Sequence, residues 1–72
     1  MLKSFKVEKM VNCKSKILGI VSYESSEDAI KSQKSLRGCG EYFITDMKTG
    51  IEYTVVVEPD GIRYWDTLCS KV

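Results

Sequence analysis

The segment from Glu52 to Asp66 constrains the fold of this chain more than any other. Two runs rich in β-branched and aromatic residues flank the tripeptide Pro59-Asp60-Gly61. Proline presets φ for the first position of a turn, aspartate is accepted at the next, and glycine tolerates positive φ. The segment therefore predicts a β-hairpin, and the register of that hairpin decides which side chains share a face of the sheet.

A second loop of the same kind, Lys48-Thr49-Gly50, precedes this hairpin. We predict that each loop has three residues, with glycine at the position that needs positive φ. The strands around the two loops are Glu41–Met47, Ile51–Glu58 and Ile62–Thr67. Together they predict a three-stranded antiparallel meander.

The N-terminal part of the chain predicts two further strands, Ser4–Asn12 and Lys16–Tyr23, joined by a polar turn. In the first strand, Phe5 and Val7 alternate with polar residues, so they are expected on one side. The second strand has apolar residues at both parities, which is typical of a central strand covered on both faces. We therefore expect this second strand in the interior of the sheet.

A short helix is predicted between the two halves. Ser25 and Asp28 form a variant of the capping box, in which a hydroxyl and a carboxylate satisfy free backbone amides. The predicted helix runs from Ser26 to Arg37, and Gly38 is the expected left-handed stop. Its apolar stripe is thin, which favours one helix packed on a sheet over a helical bundle.

The predicted element order is β-β-α-β-β-β. This order indicates an α+β fold with a mainly antiparallel sheet and one helix packed on one face. The chain has 72 residues and contains no linker or repeat, so residues 1–72 are expected to form a single small domain.

Three-residue loops would place Met47 opposite Ile51 and Glu58 opposite Ile62. One face, the predicted core face, would then contain Phe43, Thr45, Met47, Ile51, Tyr53, Val55, Val57, Arg63 and Trp65. The predicted outer face would contain Tyr42, Ile44, Asp46, Glu52, Thr54, Val56, Glu58, Ile62, Tyr64 and Asp66. A shift of one residue in either loop would redistribute these sets, because the side chains of a strand alternate with a period of two.

The predicted outer face combines an aromatic and β-branched centre with an acidic rim. Such a surface is typical of a protein-binding site. The alternative is an ordinary solvent-exposed sheet face, since the same residue types suit a pleated surface. The residues predicted to bind a protein are Tyr42, Ile44, Asp46, Glu52, Val56, Glu58, Tyr64 and Asp66.

The absence of histidine limits the chemistry of the chain. It excludes Ser-His-Asp and Cys-His catalysis and the common zinc ligand sets. No C-x-x-C pair is present, and Gly38-Cys39-Gly40 follows the predicted helix where a phosphate-binding loop would open one. We therefore expect no catalytic, cofactor or metal site, and a chain that is not an enzyme.

The leading functional hypothesis is a non-catalytic interaction domain that binds a protein through a sheet face or edge. The partner is another protein or a second copy of the chain, and the domain is a small inhibitor, adaptor or accessory protein of the kind encoded by bacteria and their phages. The alternative is nucleic-acid binding through the lysine-rich first hairpin, where lysines could contact phosphates. The residues of this alternative are Lys3, Lys6, Lys9, Lys14 and Lys16.

Charge and cysteine content bear on the compartment. The net charge is +1, and no apolar run is long enough to cross a bilayer, so no membrane partner is expected. The three cysteines Cys13, Cys39 and Cys69 are odd in number and widely spaced, which favours a reducing cytoplasm. One disulfide with one free thiol is the alternative.

Overall fold

The structure, a computed structural model, describes residues 1–32, 36 and 38–67. In chain order, the elements are β1 (Lys3–Val11), β2 (Lys14–Tyr23), α1 (Ser26–Lys31), β3 (Gly40–Asp46), β4 (Glu52–Glu58) and β5 (Gly61–Asp66). The five strands form one sheet in the spatial order β2-β1-β3-β4-β5, and every neighbouring pair is antiparallel. The predicted α+β class, with an antiparallel sheet and one short helix, is confirmed.

The β1–β2 hairpin turns on two residues. Asn12 and Cys13 both have positive φ, 51° and 66°. Two consecutive residues of positive φ are the mark of a type I′ turn, whose twist matches that of the flanking strands. The predicted polar turn is therefore present, and it consists of Asn12 and Cys13 alone.

Helix α1 begins at the predicted cap and ends early. Ser25 Oγ accepts a hydrogen bond from the Asp28 N–H at 3.2 Å. The helix ends at Lys31, because Ser32 is extended (φ −74°, ψ 126°) and its hydroxyl lies 2.5 Å from that of Tyr23 on β2. The predicted continuation is therefore wrong at Ser32, and the rest of it, residues 33–35 and 37, lies outside the described part of the chain.

The core lies between helix α1 and one face of the sheet. Ala29 and Ile30 of the helix are fully buried, and Leu36 joins them from the following segment. The sheet contributes buried side chains to the same cluster: Phe5, Val7, Tyr42, Ile44 and Val55. The predicted inward orientation of the two β1 residues is thus confirmed.

Strand β2 is an edge strand, so its predicted central position is wrong. Ile17 and Ile20 are each 61% exposed. Its pairing with β1 skips Leu18, whose neighbours Ile17 and Gly19 oppose Glu8 and Val7. Such a bulge, together with lysines along the strand, is a common device that protects a sheet edge from further pairing.

The β3–β4 register differs by one residue from the predicted one. Thr45 pairs with Glu52, and the Asp46 N–H donates to the Ile51 carbonyl at 2.9 Å. The loop therefore has four residues, 47–50, because Asp46 itself begins the turn: its Oδ1 accepts from the Lys48 N–H at 2.8 Å. The predicted Met47–Ile51 pair is wrong.

The β4–β5 register is also shifted by one residue. Glu58 pairs with Gly61, so the loop consists of Pro59 and Asp60 alone. In a type I turn, proline suits the second position and glycine suits the fourth, which opens the next strand. Gly61 occupies that fourth position with φ +155°. The predicted pairing of Glu58 with Ile62 is wrong.

Candidate functional site

The two register shifts exchange the faces of β3 and β5. Tyr42 and Ile44 point to the helix, whereas Phe43 and Trp65 lie on the opposite side of the sheet, which we call the distal face. Side chains directly opposite in an antiparallel pair share a face. The distal face therefore includes Ile17, Ile20, Lys6, Glu8, Met10, Glu41, Phe43, Thr45, Glu52, Thr54, Val56, Glu58, Arg63 and Trp65.

One row of directly paired residues crosses all five strands on this face. We call it the central row: Ile17, Glu8, Phe43, Thr54 and Trp65. Its two ends are apolar and exposed, with Trp65 at 38% and Ile17 at 61% of its surface. An aromatic residue and a β-branched residue thus mark the two ends of an otherwise mixed surface.

The polar residue next to Trp65 in this row has its own partner. Thr54 is 5% exposed, and its hydroxyl oxygen lies 2.7 Å from that of Thr67. Because this buried hydroxyl has a hydrogen-bond partner in the protein, covering it does not leave a polar group without a hydrogen bond. The centre of the distal face is therefore compatible with further burial.

Charged side chains in and beside the central row form two ion pairs within the face. Lys6 Nζ lies 3.5 Å from Glu8 Oε1 on β1. Arg63 on β5 donates to Glu58 on β4. Exposed ion pairs of this kind contribute little to folding stability. Their effect on recognition is greater, since charges around an apolar centre favour one partner and orientation over others.

Three of the eight residues predicted to bind a protein are buried on the helix side. Tyr42 and Ile44 are 0% exposed and belong to the core. Asp46 is 6% exposed, and Lys48 and Thr49 both donate backbone N–H bonds to its Oδ1. The Lys48 bond is the larger cause that lowers the pKa of Asp46, against the opposing effect of burial. This carboxylate holds a turn together.

The other five predicted residues are divided between the faces. Tyr64 and Asp66 pair with Val55 and Tyr53, so they lie on the helix side. Only Glu52, Val56 and Glu58 lie on the distal face. The eight residues therefore do not form one surface, because the register shifts move whole strands to the other side.

The sequence predicts other positions for the most apolar residues of the distal face. Phe43 and Trp65 were predicted to face the core, and Ile17 and Ile20 to lie in a covered strand. Two signals point to the observed arrangement. Asp46 lies two residues before Lys48, where an aspartate can start the turn itself, and β2 contains lysines and a glycine, which are typical of an edge strand.

The five lysines of the nucleic-acid hypothesis do not form one patch. Lys9 pairs with Lys16, and Lys14 follows at the hairpin end of the helix-side face. Lys6 lies on the distal face, and Lys3 is at the opposite end of β1. Lys9 Nζ lies 5.3 Å from the centre of the Tyr42 ring, so this lysine packs against the protein.

Two of the three cysteines, Cys13 and Cys39, are exposed free thiols, and Cys69 lies outside the described residues. Within the ranges that the structure describes, no three Cys, Asp or Glu side chains are grouped closely enough to hold a metal ion. Nor does the described part of the chain contain a helix of the length and apolarity that crossing a membrane requires.

Comparisons with protein-family models, with curated proteins and with solved structures found no match for this chain. Its function is therefore argued from the geometry and chemistry of its own residues.

Proposed function

We propose that this protein is a non-catalytic interaction domain that binds a protein partner through the distal face of its sheet. It acts in the cytoplasm as a small inhibitor, adaptor or accessory protein. The observation that carries the proposal is the central row, in which Ile17, Phe43 and Trp65 bring apolar surface to a side of the sheet that helix α1 does not cover.

The composition of this face supports protein binding. Aromatic residues and arginine are enriched in protein interfaces, and tryptophan often carries a large part of the binding energy. Trp65 is the single tryptophan of the chain, and Arg63 lies beside it on the same strand and face. Both side chains project from β5, a short strand at the sheet edge.

The face is a better candidate than either edge of the sheet. Edge pairing needs a regular strand, and β2 is interrupted by the bulge at Leu18 and carries Lys14 and Lys16. The other edge strand, β5, has six residues. Nucleic-acid binding is the weaker proposal, because the five lysines on which it depends are divided between the two faces and the two ends of β1.

Affinity isolation from the native cell, with matched variants, tests the proposal. Ile20→Lys introduces a charge into the distal face at a side chain that is 61% exposed, so folding is expected to persist. Ile51→Lys is the matched control, because Ile51 follows the β3–β4 loop and opposes Asp46 on the helix side. Circular dichroism checks that both variants are folded.

We expect the wild-type protein and Ile51→Lys to retain the same partner, and Ile20→Lys to lose most of it. Equal retention by both variants would show that the partner binds elsewhere. A wild-type protein that retains no partner in the isolation and also stays monomeric when it is concentrated would contradict the proposed function.

A further inference from the structure

We propose that the partner is a second copy of this chain, packed distal face to distal face about a two-fold axis that runs along the central strand β3. The inference rests on the proposed function and specifies the partner of the same surface. It follows from the way in which the pairing registers distribute charge and apolar surface on either side of β3.

The sheet has an odd number of strands, and β3 lies in the middle of it. A two-fold axis above β3 and parallel to it exchanges left and right. It therefore places β4 of the second copy over β1, and β5 of the second copy over β2. The rotation does not move a residue along the strand direction. Each residue therefore meets a residue from the same row across the sheet of the second copy, and the pairing registers identify these residues.

Charges of opposite sign meet under this operation. Lys6 on β1 pairs with Thr45 on β3, which in turn pairs with Glu52 on β4. Lys6 and Glu52 thus lie one strand to either side of the axis, in the same row. The axis brings Lys6 of each copy opposite Glu52 of the other and so creates two complementary pairs, which fix the orientation of the copies.

Apolar side chains meet at the centre and at the two ends of the central row, whereas Glu8, which is paired with Lys6, faces the second copy's Thr54. Ile17 on β2 and Trp65 on β5 lie two strands to either side of β3, with Phe43 between them. The axis places Ile17 against the second copy's Trp65 and packs the two Phe43 rings against each other. The two most exposed members of the row therefore cover one another, as expected of an isologous interface.

The size of the face is typical of a weak or transient interface. Five strands about 4.8 Å apart, with about seven residues each at about 3.3 Å per residue, give a face of roughly 550 Å². Two such faces bury roughly 1,100 Å², which is the lower end for specific interfaces. We therefore expect a dimer that dissociates on dilution.

One residue opposes the association. Glu41 of β3 pairs with Val56 on the distal side, so the axis brings it near the second copy's Glu41. The axis keeps the two β3 strands parallel, so the two Glu41 carboxylates face each other at the end of the strand. Glu41→Gln removes the repulsion, and we expect it to strengthen the dimer severalfold.

Analytical ultracentrifugation at low salt, from about 1 µM to about 1 mM protein, tests the inference. We expect the wild type to change from monomer to dimer over this range. Lys6→Glu and Glu52→Lys should each weaken the homodimer about tenfold or more, since each places like charges opposite one another. An equimolar mixture of the two single variants should dimerise again, because opposite charges then face each other at both sites.

A wild type that is monomeric at the highest concentration would overturn the inference, and so would a dimer that neither charge variant weakens. If the wild type is monomeric and Ile20→Lys still releases a partner from the cell, the proposed function stands and the partner is a different protein. If any variant fails to fold, the wild-type dilution series and Ile17→Lys remain as tests, because Ile17 is 61% exposed and its substitution should raise the dissociation constant by about tenfold or more.

Discussion

Tyr42 and Val55 lie directly opposite each other across β3 and β4, and both side chains are 0% exposed. The Tyr42 hydroxyl donates a hydrogen bond to the Gly38 carbonyl at 2.8 Å. The Tyr42 ring thus fills the centre of the core, and the Tyr42 hydroxyl binds the segment before β3. This pair also fixes the alternation that leaves Phe43 on the distal face.

Tyr42→Phe separates the two roles of this residue. The ring remains, and the Gly38 carbonyl loses its donor, so we expect the free energy of unfolding to fall by about 1 kcal/mol. Urea denaturation measures the change, and Tyr53→Phe is the control that removes the same atom from a neighbouring tyrosine on the same face. An equal effect of both substitutions would contradict the role of the Tyr42 hydroxyl.

Gly40→Ala tests a close approach between β1 and the start of β3. Gly40 has φ +144°, and a Cβ at this position would lie 3.3 Å from Lys9 Cε. We expect a destabilisation of about 1 to 3 kcal/mol from backbone strain and this contact together. Thermal denaturation of Gly40→Ala in the wild-type and Lys9→Ala backgrounds separates the two causes. A cost that is the same in both backgrounds assigns the whole effect to φ.

Ser25→Ala removes the cap of helix α1. The Asp28 N–H loses its acceptor in a helix of six residues, and we expect a loss of about 1 kcal/mol in stability. Ser26→Ala is the matched control at the first helical position. If Ser26→Ala costs as much as Ser25→Ala, the side-chain cap is not the cause.

The pH dependence of stability should report the turn at Asp46. Its pKa is lowered in the folded state, chiefly by the Lys48 N–H, so the ionised form is favoured on folding. The resulting stabilisation is fully present above the unfolded-state pKa of about 3.9 and is lost as the pH falls through the lower, folded-state pKa.

Asp46→Asn keeps the shape of the side chain and removes its charge. We expect the substitution to lower stability at neutral pH, and the difference from the wild type to shrink below about pH 4. Urea titrations at several pH values measure this, with Asp60→Asn in the exposed Pro-Asp turn as the control. A difference that stays constant from neutral to acid pH would contradict the assignment.

The sequence predicted the elements of this fold better than their relation to each other. Within β4, the inward orientation of Tyr53, Val55 and Val57 is confirmed, because alternation along one strand needs no knowledge of its neighbours. The position of β2 at the edge was not predicted, since exposure of its apolar residues depends on the order of strands in the sheet.

The candidate surface depended on the loops, and this is why it was predicted on the wrong residues. The parity of β3 and β5 relative to β4 follows from the number of residues in each loop. The turn that Asp46 starts takes Met47 into the first loop, and Gly61 belongs to β5 and not to the second loop. Each difference is a single residue, yet it moves Phe43 and Trp65 from the predicted core face to the distal face.

The central claim is that the distal face is the surface on which a protein partner binds. Trp65 and Tyr64 test it most directly, because these neighbours are 38% and 39% exposed and lie on opposite faces of β5. Hydroxyl-radical footprinting, read by mass spectrometry on the free protein and on its isolated complex or concentrated dimer, measures both in one sample. We expect the oxidation of Trp65 to fall severalfold on binding while that of Tyr64 is unchanged. Protection of Tyr64 with undiminished oxidation of Trp65 would contradict the account.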